Sequence, residues 1–496
     1  MLFLGIDSGT QSTKCVVVEG DTGRILASEV ASYGLLDGLA PGHLEQDPAV
    51  WIQAMETTVL SCLAAIGSRR DEIRAIGVSG QQHGLVVLDE ADRVIRPAKL
   101  WCDTSTASQC AQFAEAFGGH AGLIQRAGNA MLPGYTAPKI LWLKQEEPHH
   151  FTRIRTVLLP HDYLNFHLTG VKRMEFGDAS GTGLLDIRTR TWDEALCEFI
   201  DPRVREMLPE TGSSLTVHGN LREELRASWG LPKGVVVSAG GGDNMMGAIG
   251  TGNVTPGVVT ASFGTSGTLY SCAAHPVADP EGEVAAFCDS TDHWLPLVCT
   301  MNVTVITERV RALFGWSHQD LEQAVSSIPS GASGLTFLPY LNGERTPNLP
   351  AGTGVLHGLT PANLSPAHLA RAAMEGATLG LAYGLRRFRQ LGVEPTEIRL
   401  TGGGSKSPVW RQIAADAFGV PVVCLSTAEG AALGAALQAA HVAQPGTASL
   451  RELCDRWVAP DESTRCLPDR ERASGYAAQL DRQTGLTRVL QANAYL

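Results

Sequence analysis

The sequence predicts an α/β fold built from two duplicated halves. Three observations predict it. Apolar runs ending in glycine turns alternate with stretches of helical period, two β-turn-β units in different parts of the chain echo each other, and 496 residues suffice for two large domains.

Taken in order, "MLFLGIDSGTQSTKCVVVEGDTGRILASE" predicts strands over Leu2–Ile6, Lys14–Glu19 and Arg24–Ser28, joined by turns of Gly, Ser, Thr and Asp in the manner of an antiparallel meander. A helical period follows over Pro48–Ala65 with Asp47 as its N-cap, and "IRAIGVSGQQHGLVVLD" gives strand, turn and strand. A second unit begins near Gly250 with "GVVTASFGTSGTLYSCA", the echo of the first. Further on, "IRLTGGGSKSPVWRQIAADAFGVPVVCL" predicts a strand, a glycine turn, a helix from about Ser407 to Phe418, and another strand. The domains are expected at 1–248 and 249–496, and with no low-complexity linker between them they should share a continuous interface and hinge. The tail from about Gln444 is polar, helical in places and silent about function.

A composition of 44% hydrophobic and 18% charged residues is that of a globular chain, not a disordered one. The net charge of −12 offers no overall field for DNA, RNA or an acidic membrane surface, so an anionic ligand must be held locally by backbone amides or metal ions. The sequence reads as having no 18-residue apolar segment and no cleavable leader, and the expectation is a cytoplasmic protein without a membrane partner. Eleven scattered cysteines without a CxxC pair point to buried thiols and to neither a disulfide framework nor a zinc site.

Three turns carry the chemistry. "GIDSGTQSTK", "SFGTSGT" and "TGGGSKS" each follow an apolar strand and present amides and hydroxyls. Any one of them serves equally as a tight turn, but three in one chain point to a nucleotide's phosphates. None has the Walker spacing or the dinucleotide fingerprint, which argues against a P-loop or Rossmann protein and against an oxidoreductase. Asp7 is either a turn carboxylate or a ligand holding Mg2+ through water. Gln82 and His83, bracketed by Gly80 and Gly84, are either structural or a pair of neutral side chains suited to hydroxyls. Trp101 and Asp103 read as core aromatic and helix cap, or as part of a sugar site. "GGGDNMMGAIGTG", residues 240–252, surrounds the single carboxylate of Asp243 with little bulk, fitting a turn or a ligand that the backbone must approach closely.

These residues assemble into a resemblance. "GYTAPKILWLKQE" (134–146) and "GVLHGLTPANLSPAHLARAAME" (354–375) are similar throughout to the two signatures of the FGGY family of carbohydrate kinases, and the Asp7 turn, GGGDN and TGGG follow in the family's order, so the likeness covers about residues 1–445. It implies an α/β, duplicated actin/hexokinase-like (ribonuclease H-like) two-domain ATPase fold with a central cleft, sugar and phosphate sites in the first domain and nucleotide in the second. Within the family the details most resemble xylulokinases. "GQQHG" is like their substrate loop, and the Arg-Glu pair of glycerol kinases is absent. "WCDTSTASQC" lacks the arginine of the bacterial WNDxR form and is closer to the eukaryotic branch, which leaves the sugar open among ketoses and polyols such as ribulose.

The resemblance implies ATP and Mg2+, a small ketose substrate, and, by analogy, a homodimer. Asp243 would be the catalytic base, with Gln82, His83, Trp101, Asp103 and Asn244 on the sugar. Asp7, Thr10, Ser12, Thr13, Gly264, Thr265 and Ser266 would face the phosphates, Gly402, Gly403, Gly404 and Ser407 the nucleoside, and Asp7 and Asp243 the metal. A nucleotide-gated scaffold or chaperone of the same architecture is the alternative from another class. It would account for the phosphate turns but not for Gln82-His83 or the isolated Asp243.

Overall fold

A computed structural model of the chain describes residues 1–427 and 429–496. Two seven-stranded sheets organise it. The first runs Val217–Asn220, Val236–Ser238, Ile73–Gly80, Leu2–Ser8, Ser12–Glu19, Ile25–Ser32, with the short Gly241–Gly242 also paired to Ile73–Gly80. The second runs Pro460–Cys466, Val422–Leu425, Glu397–Thr401, Val258–Phe263, Gly267–Ser271, Trp294–Thr300, Ala285–Cys288. Over their first six strands both sheets pair in the same senses: antiparallel, parallel, parallel, antiparallel, antiparallel. The echo of two turns is thus a strand-for-strand repeat.

The N-terminal meander forms as its alternation predicts, but the first strand extends to Ser8, so Asp7 lies within it and not after it. The helix Pro48–Ile66 starts where Asp47 accepts the Ala49 N–H at 2.9 Å. By length and composition the helical span Pro48–Glu72, which begins with this helix, is apolar enough to cross a membrane, contrary to the expectation of no such segment. Its Trp51, Met55, Val59 and Leu63 pack with Leu2, Leu4 and Ile6 in the core on one face of the first sheet.

The other face of that sheet, with Phe3, Val16, Val18 and Ala75, is covered by a helix from the far end of the chain, Gly430–Ala443. Gly430–Ala443 also crosses the helix Asp243–Gly250 at near backbone contact. A Cβ on Gly250 would fall 1.7 Å from the Gly430 carbonyl oxygen, and one on Gly434 1.8 Å from that of Met246, so only glycine fits at either place. In return Met245 and Ala248 of the first half's helix pack with Tyr270, Phe287 and Leu297 of the second sheet. The tail is structural. Leu450–Trp457 joins the Gly430–Ala443 cluster, Pro460–Cys466 edges the second sheet, and Arg470–Ala492 docks on the long helix Pro366–Gln390, where Tyr476 bonds Arg371 and Glu375.

Candidate active site

Asp243 opens its helix beyond the glycines 240–242, at the wall of a cavity of about 310 Å³ between the halves. Asn244 lines it beside Asp243, while Ser262 and Thr268, with Thr401 and Gly402, line it from the second sheet. Asn244 Nδ2 donates to Gln82 Oε1 at 2.9 Å and to Asp243 Oδ1 at 3.1 Å, tying the helix start to the 80–84 loop. Burial, with the charge of Asp7 adding to it, raises the Asp243 carboxyl to about 7. A carboxylate so tuned can take a proton near neutrality.

Asp7 pairs in register with Lys14 on one neighbour and Ser79 on the other. Ser79 Oγ donates to Asp7 Oδ1 at 2.8 Å, and Lys14 Nζ reaches Glu429 of the second half at 2.8 Å. Burial raises the Asp7 carboxyl against the opposing pull of Ser79 and Lys14. The Asp7 carboxylate raises the proton affinity of Asp243, and Lys14, which faces Asp7, is tied to a third carboxylate, Glu429; this donor set suits a hard divalent cation.

Ser12 shares the Lys14 face of its strand. Thr13 does not: its hydroxyl is buried on the opposite face with Ser8 (3.2 Å) and the Tyr33 hydroxyl (3.1 Å), because neighbouring strand residues alternate sides. Thr10 Oγ1 donates to Gln81 (3.3 Å) and accepts the indole N–H of Trp101 (2.9 Å).

Gln82 is buried, and its Nε2 has no partner among the described residues, which leaves a donor for a ligand. His83 has φ +63°, in the left-handed region, and its ring lies against Tyr135 (4.9 Å) and Phe287 (5.7 Å). Burial, then the nearby Lys139, lowers the imidazole to about 3, so it stays neutral. Trp101 is 37% exposed. Asp103 is neither at the cavity nor a helix cap. It accepts from Leu44 N–H (2.9 Å), Ser105 N–H (3.0 Å) and the fully buried Lys99 (3.0 Å), whose ammonium requires a buried counter-charge.

In the second half Thr265 and Ser266 are exposed at their turn, next to Gly264. Gly402, at φ +84°, packs so closely on that turn that a Cβ would fall 2.7 Å from the Phe263 carbonyl carbon. Gly403 faces open space, Gly404 is buried against Trp410, and Ser407 is occupied as the cap of Pro408–Phe418 and in a bond to Glu322.

The chain has known relatives. The N-terminal domain of the FGGY family of carbohydrate kinases matches residues 2–250, and the C-terminal domain matches 259–443. The chain belongs to the FGGY family of carbohydrate kinases. It is 40% identical over 487 residues to a xylulose kinase of Haemophilus influenzae, covering 97% of this chain and 98% of that one. In shape it is similar to a ligand-bound xylulose kinase from Lactobacillus acidophilus (26% identity, TM-score 0.92, 99% and 98% covered). A gluconate kinase from the same organism is as near (26%, 0.91, 99% and 98%), so the outline of an FGGY kinase does not choose the sugar.

Three further residues stand out in this FGGY chain. Lys139, inside the first signature, is fully buried and donates to the carbonyls of His83 (2.8 Å) and Gly134 (2.7 Å), with Thr136 also donating to His83 (3.2 Å). These bonds hold the unusual backbone of His83, and burial lowers the Lys139 ammonium to about 7. Lys14 is the last letter of "GIDSGTQSTK" and Arg345 lies in "FLPYLNGERTP". A lone lysine near the start of a strand, and a lone arginine in a loop, carry no spacing that marks them.

Proposed function

We propose that this FGGY kinase transfers the γ-phosphoryl group of ATP to a primary hydroxyl of a ketopentose, the 5-hydroxyl of D-xylulose, giving D-xylulose 5-phosphate and ADP. The observation that carries the reading is Asp243 at the wall of the cavity between the halves, bonded through Asn244 to Gln82. The extent and identity of the match to a curated xylulose kinase support the choice of sugar.

In this reading the sugar lies along Asp243, Asn244, Gln82 and His83, with its reacting hydroxyl toward Asp243. The hydroxyl oxygen bonds to the γ-phosphorus as the bond from that phosphorus to the β–γ bridging oxygen breaks. ADP leaves with the electron pair and Asp243 accepts the hydroxyl proton. Asp243, raised to about 7, is a strong enough base to take that proton while remaining largely ionised slightly above neutrality. Asp7 and Asp243 would hold Mg2+, which when bound neutralises charge on the phosphates. Ser262, Thr268 and Thr401 meet the triphosphate with neutral donors, and Lys14, in register with Asp7, adds a positive charge from the first half. Walls drawn from both halves let closure exclude water, which limits hydrolysis of ATP.

A coupled assay of ADP release across pentuloses, hexuloses, pentitols and D-gluconate tests the proposal. D-Xylulose is expected to show the highest kcat/KM. Equal turnover without sugar, stimulated by unfolded peptide, would instead identify a chaperone-like ATPase.

A further inference from the structure

One charged group near Trp101 and the Gln82-His83 loop takes no part in the proposed reaction. Arg345 is presented by a loop of the second half whose backbone is held firmly. The Glu344 carboxylate accepts the N–H groups of Arg345 (2.8 Å) and Met301 (2.6 Å) and the Asn302 amide (3.0 Å), and Thr346 Oγ1 donates to the Glu283 carbonyl (3.1 Å). Glu344, although adjacent in sequence, is therefore used on the backbone and makes no ion pair with Arg345.

The guanidinium crosses to the first half, where it lies 5.8 Å from the ring centroid of Trp101. Its one polar contact among the described residues is a bond from Nη1 to Cys299 Sγ at 3.6 Å, a weak acceptor, and no carboxylate pairs with it. An arginine has five N–H donors, so most of these remain open. Its charge is felt by His83, Tyr135, Cys102 and Cys299, so it lies within electrostatic reach of the His83 end of the loop. Trp101, beneath it, donates to Thr10 of the first glycine turn at 2.9 Å.

We propose that Arg345 is a specificity-determining residue that covers the far end of the sugar across the cleft and donates to its C2 carbonyl oxygen. The inference rests on the proposed function, in which the hydroxyl to be phosphorylated sits at Asp243. A ketopentose whose fifth carbon lies there extends its carbonyl end along Gln82 and His83 toward the guanidinium. The carbonyl is a pure acceptor and matches a pure donor, whereas the hydroxyl of the corresponding pentitol can be satisfied by many groups. Because Arg345 belongs to the second half and Trp101 to the first, the contact also makes cleft closure depend on the correct sugar.

The test compares the wild type with Arg345→Met and Arg345→Lys on D-xylulose and on its pentitol, with ATP held saturating and then varied. The methionine variant is expected to raise the D-xylulose KM about 10- to 100-fold, the range for hydrogen bonds to a charged group. The ketose-over-pentitol ratio of kcat/KM should collapse toward one, while the KM for ATP stays within about twofold. Lysine should recover only part of the loss, since it lacks the planar fork. Unchanged melting temperatures for both variants separate this role from a structural one. An unmoved ketose KM, or a change confined to ATP, overturns the inference. Failure of the wild type on every ketose would overturn the proposed function itself, and it is seen before any variant is assayed.

Discussion

The two β-turn-β units occupy the same lattice with different chemistry. By register Asp7, Lys14 and Ser79 in the first half fall where Ser262, Thr268 and Thr401 fall in the second, and Gly80 falls where Gly402 does. The first set therefore carries an acid, a base and one hydroxyl, and the second three hydroxyls. All three hydroxyls line the cavity. Under the proposed function the difference teaches how a duplicated fold divides labour: one copy would manage charge that changes during the reaction, and the other would offer neutral donors that bind without competing for the proton.

The largest expected break in that contrast comes from the charged side. Asp243→Ala should lower kcat about 10²- to 10⁴-fold while leaving MgATP binding within a few-fold, as read by steady-state kinetics and by titration with a nucleotide analogue. Near-normal turnover would remove Asp243 as the base. A matched pair sharpens the comparison between the walls. Asp7→Asn, on the charged wall, should weaken apparent Mg2+ affinity about 10- to 100-fold, whereas Ser262→Ala, its register equivalent, should cost about tenfold or less in the KM for ATP with no change in Mg2+ dependence. Equal effects of the two on metal dependence would erase the proposed division.

The smallest effect is expected at His83. Its imidazole is held near 3 by burial and by Lys139, so it has no charge to lose above about pH 4. Replacement by glutamine should then change the height of the pH–rate profile and not its shape, and loss of an inflection near 6.5 in the variant would contradict this. If Asp243 is the base it must be ionised to act, so the acidic limb should follow its titration and kcat/KM should fall about tenfold per pH unit below about 7.

The sequence alone made the strands and capped helices legible, because alternation and caps are local: Asp47 before Pro48 and Ser407 before Pro408 mark their helices within a residue. GGGDN was legible for the same reason, one acid among glycines. What a local reading misses depends on distant segments meeting. Gly430–Ala443 is small and apolar apart from Gln438 and His441, so no stripe tells which sheet it covers, and its partner strand Leu2–Ser8 is more than 400 residues away. Thr13 looked like its neighbours Thr10 and Ser12, yet strand alternation turns it away from them. Asp103 was drawn inward by Lys99, whose burial nothing in "AKLWCDTS" announces. Lys139 acts by gripping a carbonyl 56 positions earlier, a role with no sequence signal beyond membership of the signature itself.

The reciprocal capping by Asp243–Gly250 and Gly430–Ala443 has a consequence for how such a protein is inherited. Each copy of the repeat lends its closing helix to the other, so a gene severed near codon 255 would encode two fragments with bare, sticky faces, and neither could be passed on as a stand-alone product. Co-production of both pieces would be needed to rescue the whole, and circular rearrangements that keep both helices inside one polypeptide should survive where simple shortening does not.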